Sequence, residues 1–319
     1  MQQNSERSHI LQHPDKGDLL LLLFVIPLYF FVWGRFGQKF AAGALLSLAT
    51  GVACWLFRLV LKPAASETMP VETRFGWHLF FLFPLFCPLA LSLWLIPPIL
   101  VIAYLISFTC FGGCGRHIFN PVAVAVVFMI VGYAHTASLH PVRPLSGAFE
   151  GFRIWSAGLP TARPAWKLYE EVPLSSVFSA SYSGLLPNFP GSAFGLPLLL
   201  ASAILALLAN RRPLWWLSVF MGVQIFTLYC SSPQTLDVSP WHPLLLGVVP
   251  AIMLIAVADA DSLPRSWGGQ VLCGLFSAAF AVLFIFRSDN LLGPIFSLLL
   301  AQVLSPLVID LILRRGDRQ

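Results

Sequence analysis

The chain has 319 residues, of which 57% are hydrophobic and only 10% charged, and its mean hydropathy is +0.80. A soluble domain carries about a quarter charged residues, so a soluble hydrolase or kinase is excluded and a membrane protein is expected. The net charge of +5 is scattered over loops, which excludes a nucleic-acid surface and matches the Lys and Arg excess of cytoplasmic loops.

Residues 1–17 are polar, and the first apolar run is followed by Arg35 and Lys39 instead of a small-residue cleavage site. No cleavable signal peptide is expected, and the first helix directs insertion. Apolar runs then appear at Leu19–Trp33, Ala41–Leu61, Trp77–Leu95, Pro98–Phe111 and Phe119–Ala134. A long polar interval from His135 to Pro190 separates them from Phe194–Asn210, Pro213–Cys230, His242–Ala258, Gly268–Phe286 and Leu291–Leu313. A span needs roughly 20 apolar residues, so the reading is an all-α polytopic protein with about ten transmembrane helices.

Residues 1–134 form a polar tail and a first five-helix half, 135–190 an extracytoplasmic loop, and 191–319 a second five-helix half. An odd span number per half makes a duplication inverted, although the halves show no convincing sequence identity. Pro84, Pro88, Pro97 and Pro98 predict kinked or broken helices in the third and fourth runs, a pointer to a central binding site. Arg7, Lys16, Arg58, Lys62, Arg74, Arg116, Arg211, Arg212, Arg265, Arg314, Arg315 and Arg318 fall on one side. Short loops on the other hold only Arg35, Lys39 and Arg287. Both termini are therefore expected in the cytoplasm.

Phe111-Gly112-Gly113-Cys114-Gly115-Arg116-His117-Ile118-Phe119-Asn120-Pro121 is a Gly-rich turn between two apolar runs. Gly112, Gly113 and Gly115 allow close approach of another backbone or a flat ligand. Asn120 is placed to cap the next helix, with Pro121 in its first turn. A plain loop between two spanning helices fits the same spacing.

Cys110 and Cys114 sit four apart, but two thiolates are fewer than the set an iron–sulfur cluster takes, so that site is not expected. Asp310 lies deep in the last run, either as a functional intramembrane carboxylate or paired with Arg314 one turn on. Asp259 and Asp261 could contact a cation or the ribityl hydroxyls of a flavin, or form a solvated turn. His78, His117, His135, His140 and His242 lie near membrane boundaries, with no spacing that singles out a haem pair. No GxSxG, Walker A or Rossmann fingerprint is present.

Phe111–Pro121 resembles the GG-x-G-x-N-x-FNP signature of the RnfD/NqrB family, membrane subunits of ion-pumping, flavin-containing electron-transport complexes. Phe83-Pro84-Leu85-Phe86-Cys87-Pro88-Leu89 is similar to the family's Pro-rich segment, and Pro187–Ser192 to the loop ahead of its sixth helix. Ala256–Ser262 resembles its ATDP segment, and Ser305-Pro306-Leu307-Val308-Ile309-Asp310 its terminal P-L-I-D. In that family a Thr in an S-G-A-T motif is esterified to FMN, and here Leu145-Ser146-Gly147-Ala148-Phe149 stands at that place. Phe149 has no hydroxyl and could at most stack on a ring, while Ser146 is three residues out of register. The G-E-T-S ahead of helix six and the Thr and Pro of ATDP are also missing.

The resemblance implies a multi-pass subunit of a bacterial inner-membrane electron-transport complex, working among other membrane subunits and without covalent FMN. It also implies a possible role in a membrane oxidoreductase. Noncovalent flavin (FMN or riboflavin) or a quinone is the cofactor expectation, with Gly112, Gly113, Gly115, Asn120, Asp259 and Asp261 as its contacts. A small-solute transporter or channel on the same scaffold, and a membrane anchor for redox or biosynthetic partners, remain open beside it.

Overall fold

In a chain this apolar the backbone must satisfy its own hydrogen bonds, and the long runs do so as helices. The structure, a computed structural model, describes residues 16–60, 76–110, 117–133, 142–157, 173–231, 239–287 and 293–316, with side chains for all but 58–60 and 309–316. Among the described residues every regular element is helical, apart from one isolated antiparallel bridge between Val142 and Asn188.

The order is α1 (Lys16–Phe36), α2 (Gln38–Val60), α3 (Trp77–Phe86), α4 (Ile96–Tyr104), α5 (Pro121–Gly132), α6 (Leu174–Ser183), α7 (Gly195–Leu208), α8 (Pro213–Cys230), α9 (His242–Leu245), α10 (Val248–Ala258), α11 (Trp267–Arg287) and α12 (Ile295–Gly316). A 3-10 turn at Leu93–Leu95 leads into α4, and a π turn at Leu105–Cys110 prolongs it. Five stretches are long and apolar enough to cross a membrane: Lys16–Phe36, Gln38–Phe57, Leu93–Cys110, Pro213–Cys230 and Trp267–Arg287. Trp77–Phe86, Pro121–Gly132, Gly195–Leu208, Val248–Ala258 and Ile295–Val308 are shorter apolar stretches, so among the described residues five stretches meet the length of a span.

The third run, expected as Trp77–Leu95, stops at Phe86. Cys87 precedes Pro88 and is extended, with φ −82° and ψ 124°, because a following proline disfavours the helical region. The short helices form the centre. At 10, 12 and 11 residues, α3, α5 and α10 reach about 15–18 Å, against ~30 Å of hydrocarbon. Every residue of α10 is buried, whereas between a third and a half of each long span is. The longer helices pack around them: α8 on α11, α11 on α12, α7 on α10, and α2 on α3 and α4. Contacts of α5 with α12 and of α1 with α7 join these sets. Gly222 faces Ala278, and Gly274 faces Ser218 and the Trp215 carbonyl. Small residues here let α8 and α11 approach closely.

Short helices leave carbonyls and amides without intrahelical partners inside the protein. Residues 186–195, buried throughout, supply them. Gly191 N donates to Leu85 O at 2.6 Å, at the end of α3, and Asn188 Nδ2 donates to Leu246 O at 2.7 Å, between α9 and α10. Ser181 Oγ donates to Leu245 O and accepts from Leu196 N, both at 2.8 Å. The boundary expected between residues 190 and 191 thus falls inside a buried segment. Irregular backbone at membrane depth is tolerated when it lies within protein.

Candidate functional site

Helix α5 begins where the Gly-rich turn ends. Asn120 is its N-cap, as the Asn-Pro pair predicts: Oδ1 accepts from Val122 N at 3.1 Å and Ala123 N at 3.2 Å. Its Nδ2 donates to Ile255 O at 3.0 Å and to Asp259 Oδ2 at 3.3 Å, both at the end of α10. Its backbone N donates to Gln302 Oε1 on α12 at 3.1 Å. One fully buried residue therefore ties three helices, its side chain joining α5 to α10 and its backbone N–H reaching α12.

His117 adds a second tie. Its Nε2 lies 2.8 Å from Asp259 Oδ2, with both side chains buried, and its ring meets Phe108 edge-on at 5.1 Å. Gln302 Nε2 reaches Ser262 Oγ at 3.1 Å, and Ser262 Oγ donates to Asp259 O at 2.9 Å. A buried carboxylate away from water is costly unless paired and hydrogen-bonded, and imidazole and carboxamide do both for Asp259. Chemically the cluster is a histidine–carboxylate pair able to share a proton, braced by two amides.

A neighbouring cluster closes the same end of the bundle. Asp18 of α1 accepts from Arg211 Nη2 at 2.6 Å and lies 3.2 Å from His78 Nε2. Arg211 Nη1 donates to Ala258 O at 2.8 Å, and Arg212 Nε to Ala260 O at 3.2 Å. Two guanidinium groups thus sit at the C-terminus of α10, where cations are favoured. Burial lowers the pKa of Arg212 and nearby Arg265 adds to this, while Asp261 opposes it. Arg211→Ala is expected to cost about 2 kcal/mol, since it removes two charge-assisted hydrogen bonds. Arg211→Lys should recover little, because only the planar fork serves both acceptors. Thermal melts of the detergent-purified proteins check both.

Of the residues singled out in the sequence, Asn120 and Asp259 are brought together. Asp261, two residues beyond Asp259, instead lies near enough to Arg212 to oppose the lowering of its pKa. Gly112, Gly113, Cys114, Gly115, His135 and His140 lie outside the described residues, and so does the Asp310 side chain. Cys110 is exposed at the end of the π turn. His242 Nδ1 lies 3.3 Å from Ser239 O, at the start of α9. Among the described residues no group of three or more His, Cys, Asp or Glu is gathered as a metal site. Gln302 and the Asp18–Arg211 pair were not singled out as site residues; their only signal is a polar side chain within or beside an apolar run.

The NQR2, RnfD, RnfE family matches residues 9–316, a range that includes the Asn120–Asp259 contact and the loop carrying Phe149. The chain belongs to this family. It is accordingly a multi-pass membrane protein of the kind found as subunits of electron-transport complexes. A comparison with curated proteins gives no match.

The residue expected from the sequence at the place of the family's flavin-bearing Thr is Phe149. Phe149 is the N-cap of a short turn at Glu150–Phe152 and is largely exposed. It stacks on Phe152 at 5.9 Å and lies 6.0 Å from Phe30. A phosphoester needs a hydroxyl, so the residue present does not fit covalent FMN.

Proposed function

We propose that this chain is an Rnf- or Na+-NQR-type membrane subunit that works in electron transport without covalently attached FMN. In this reading it is built as two inverted five-helix halves in a bacterial inner membrane, with both termini cytoplasmic. The observation that carries it is the tie between Asn120 and His117 on one side and Asp259 and Gln302 on the other. That tie joins the end of the family's Gly-rich turn to the segment in the ATDP position. The helix breaks at Cys87 and at Gly247 support a paired arrangement of the third run in each half.

Gly112, Gly113 and Gly115 would offer a backbone platform for a noncovalent flavin or a quinone, with Asn120 holding the end of that turn in place. Asp259 and Asp261 would border it. When bound, such a group supplies the electron-carrying chemistry; the chain's own part is to orient it and to hold a proton between His117 and Asp259.

A denaturing gel viewed under ultraviolet light, together with an absorption spectrum of the native protein, tests this. The expected result is no fluorescent band and a flavin or quinone spectrum that is lost on denaturation. A fluorescent band would overturn the absence of covalent flavin. A colourless protein that carries solute across liposomes would favour the transporter reading. A colourless, inert protein that retains its partners would favour the anchor.

A further inference from the structure

At the end of the bundle opposite Asp259, residues 142–157 are laid across the α1–α2 turn by backbone pairing. Leu145 N donates to Arg35 O, Gln38 N to Ile154 O, Lys39 N to Trp155 O and Ala157 N to Phe36 O, all between 2.6 and 3.0 Å. Arg35 Nη1 donates to Leu145 O at 2.9 Å. Gly34 and Gly151 let the two backbones touch, since an added Cβ would stand 2.2 Å from Ala148 O or 2.3 Å from Trp33 O. The loop is therefore fixed, and what it presents outward is set by its sequence.

It presents apolar rings. Phe149 is 55% exposed and Trp155 57%, with Ile154 also outward. A soluble loop would bury these or lack them. Their position explains them. The outward stripe of α1 runs through Leu19, Leu23, Ile26 and Phe30 at helical spacing, on a stretch long and apolar enough to span a bilayer. Phe149 continues that stripe beyond Phe30, with the rings 6.0 Å apart. Within this segment Arg143 and Arg153 are exposed, and its one acid is Glu150. Aromatic rings at the headgroup level with Lys and Arg beside them mark where a protein meets the membrane surface, and basic clusters there attract anionic lipids.

We infer that residues 145–155 form a lipid anchor, with Phe149 and Trp155 seated at the acyl–headgroup boundary and the flanking arginines on phospholipid phosphates. This rests on the membrane placement of α1 and not on which cofactor the chain carries.

The test replaces Phe149, and separately Trp155, with the photocrosslinking amino acid p-benzoylphenylalanine; both positions are exposed, so folding should be unaffected. The protein is reconstituted in nanodiscs of equal phosphatidylglycerol and phosphatidylcholine, irradiated and weighed by mass spectrometry. Phospholipid adducts at both positions, with phosphatidylglycerol adducts outnumbering phosphatidylcholine adducts by at least about two to one, are expected. Adducts without that enrichment would overturn the role of the arginines. Absence of lipid adducts would overturn the anchor. Crosslinking to another polypeptide in place of lipid, on irradiating native membranes, would make the patch a protein interface and overturn it equally.

Discussion

Gly247→Ala is expected to leave little folded protein. Gly247 joins α9 to α10 at φ +88°, a left-handed conformation that costs an L-residue about 1 kcal/mol or more. The larger penalty is steric. An added Cβ would stand 1.7 Å from Ser192 O and 2.7 Å from Ser192 C, both backbone atoms. Ser192 cannot retreat cheaply, because its segment holds Asn188 on Leu246 O and Gly191 on Leu85 O. Moving it would strip carbonyls at both helix breaks, at about 1–3 kcal/mol each. Together these approach the whole stability of an ordinary fold, roughly 5–15 kcal/mol. Size-exclusion chromatography of the solubilised protein should show aggregate or no product. Gly268→Ala is the control, since an added Cβ there meets nothing within 4 Å. A Gly247→Ala protein that elutes and melts like Gly268→Ala would sink the proposal that the 186–195 segment braces the break.

Asn120→Ala should be the next most damaging change. Loss of the cap costs about 1 kcal/mol. Loss of the Nδ2 donor then leaves Ile255 O and the Asp259 carboxylate short of a partner in a buried site, about 1–3 kcal/mol more for each. A total of about 3–7 kcal/mol is expected, read as a large drop in Tm. Asn120→Asp separates the two roles. It keeps the oxygen that caps α5 but sets a second carboxylate against Asp259, 3.3 Å from the present amide nitrogen. Two buried carboxylates that close cannot both be ionised, so this variant should be more stable relative to the parent at acidic pH and lose that stability as pH rises. A melt of Asn120→Ala within a degree or two of the parent would mean that α5 and α10 are held together by packing and not by the Asn120 side chain.

The sequence by itself carried the membrane character, the positions of the helical runs, the kinked or broken nature of the proline-rich third and fourth runs, the Asn-Pro cap and the family. Each of these rests on local chemistry: apolar length, a proline without its N–H, a side chain that bonds the amides two and three residues on. The break at Gly247 was not legible, because a lone glycine in an apolar run is tolerated within a helix; the contact with Ser192 makes it a turn. The partner of Asp259 was not legible either, since His117 stands 142 positions away and Asn120 bonds to Gln302 across 182. Nor could hydropathy say that α1 turns Leu21, Val25 and Leu28 inward and Leu19, Leu23 and Ile26 outward. Lipid tails are as apolar as leucine, so in this chain transfer from water decides that a segment is a helix in a membrane, and only packing decides which of its faces meets protein.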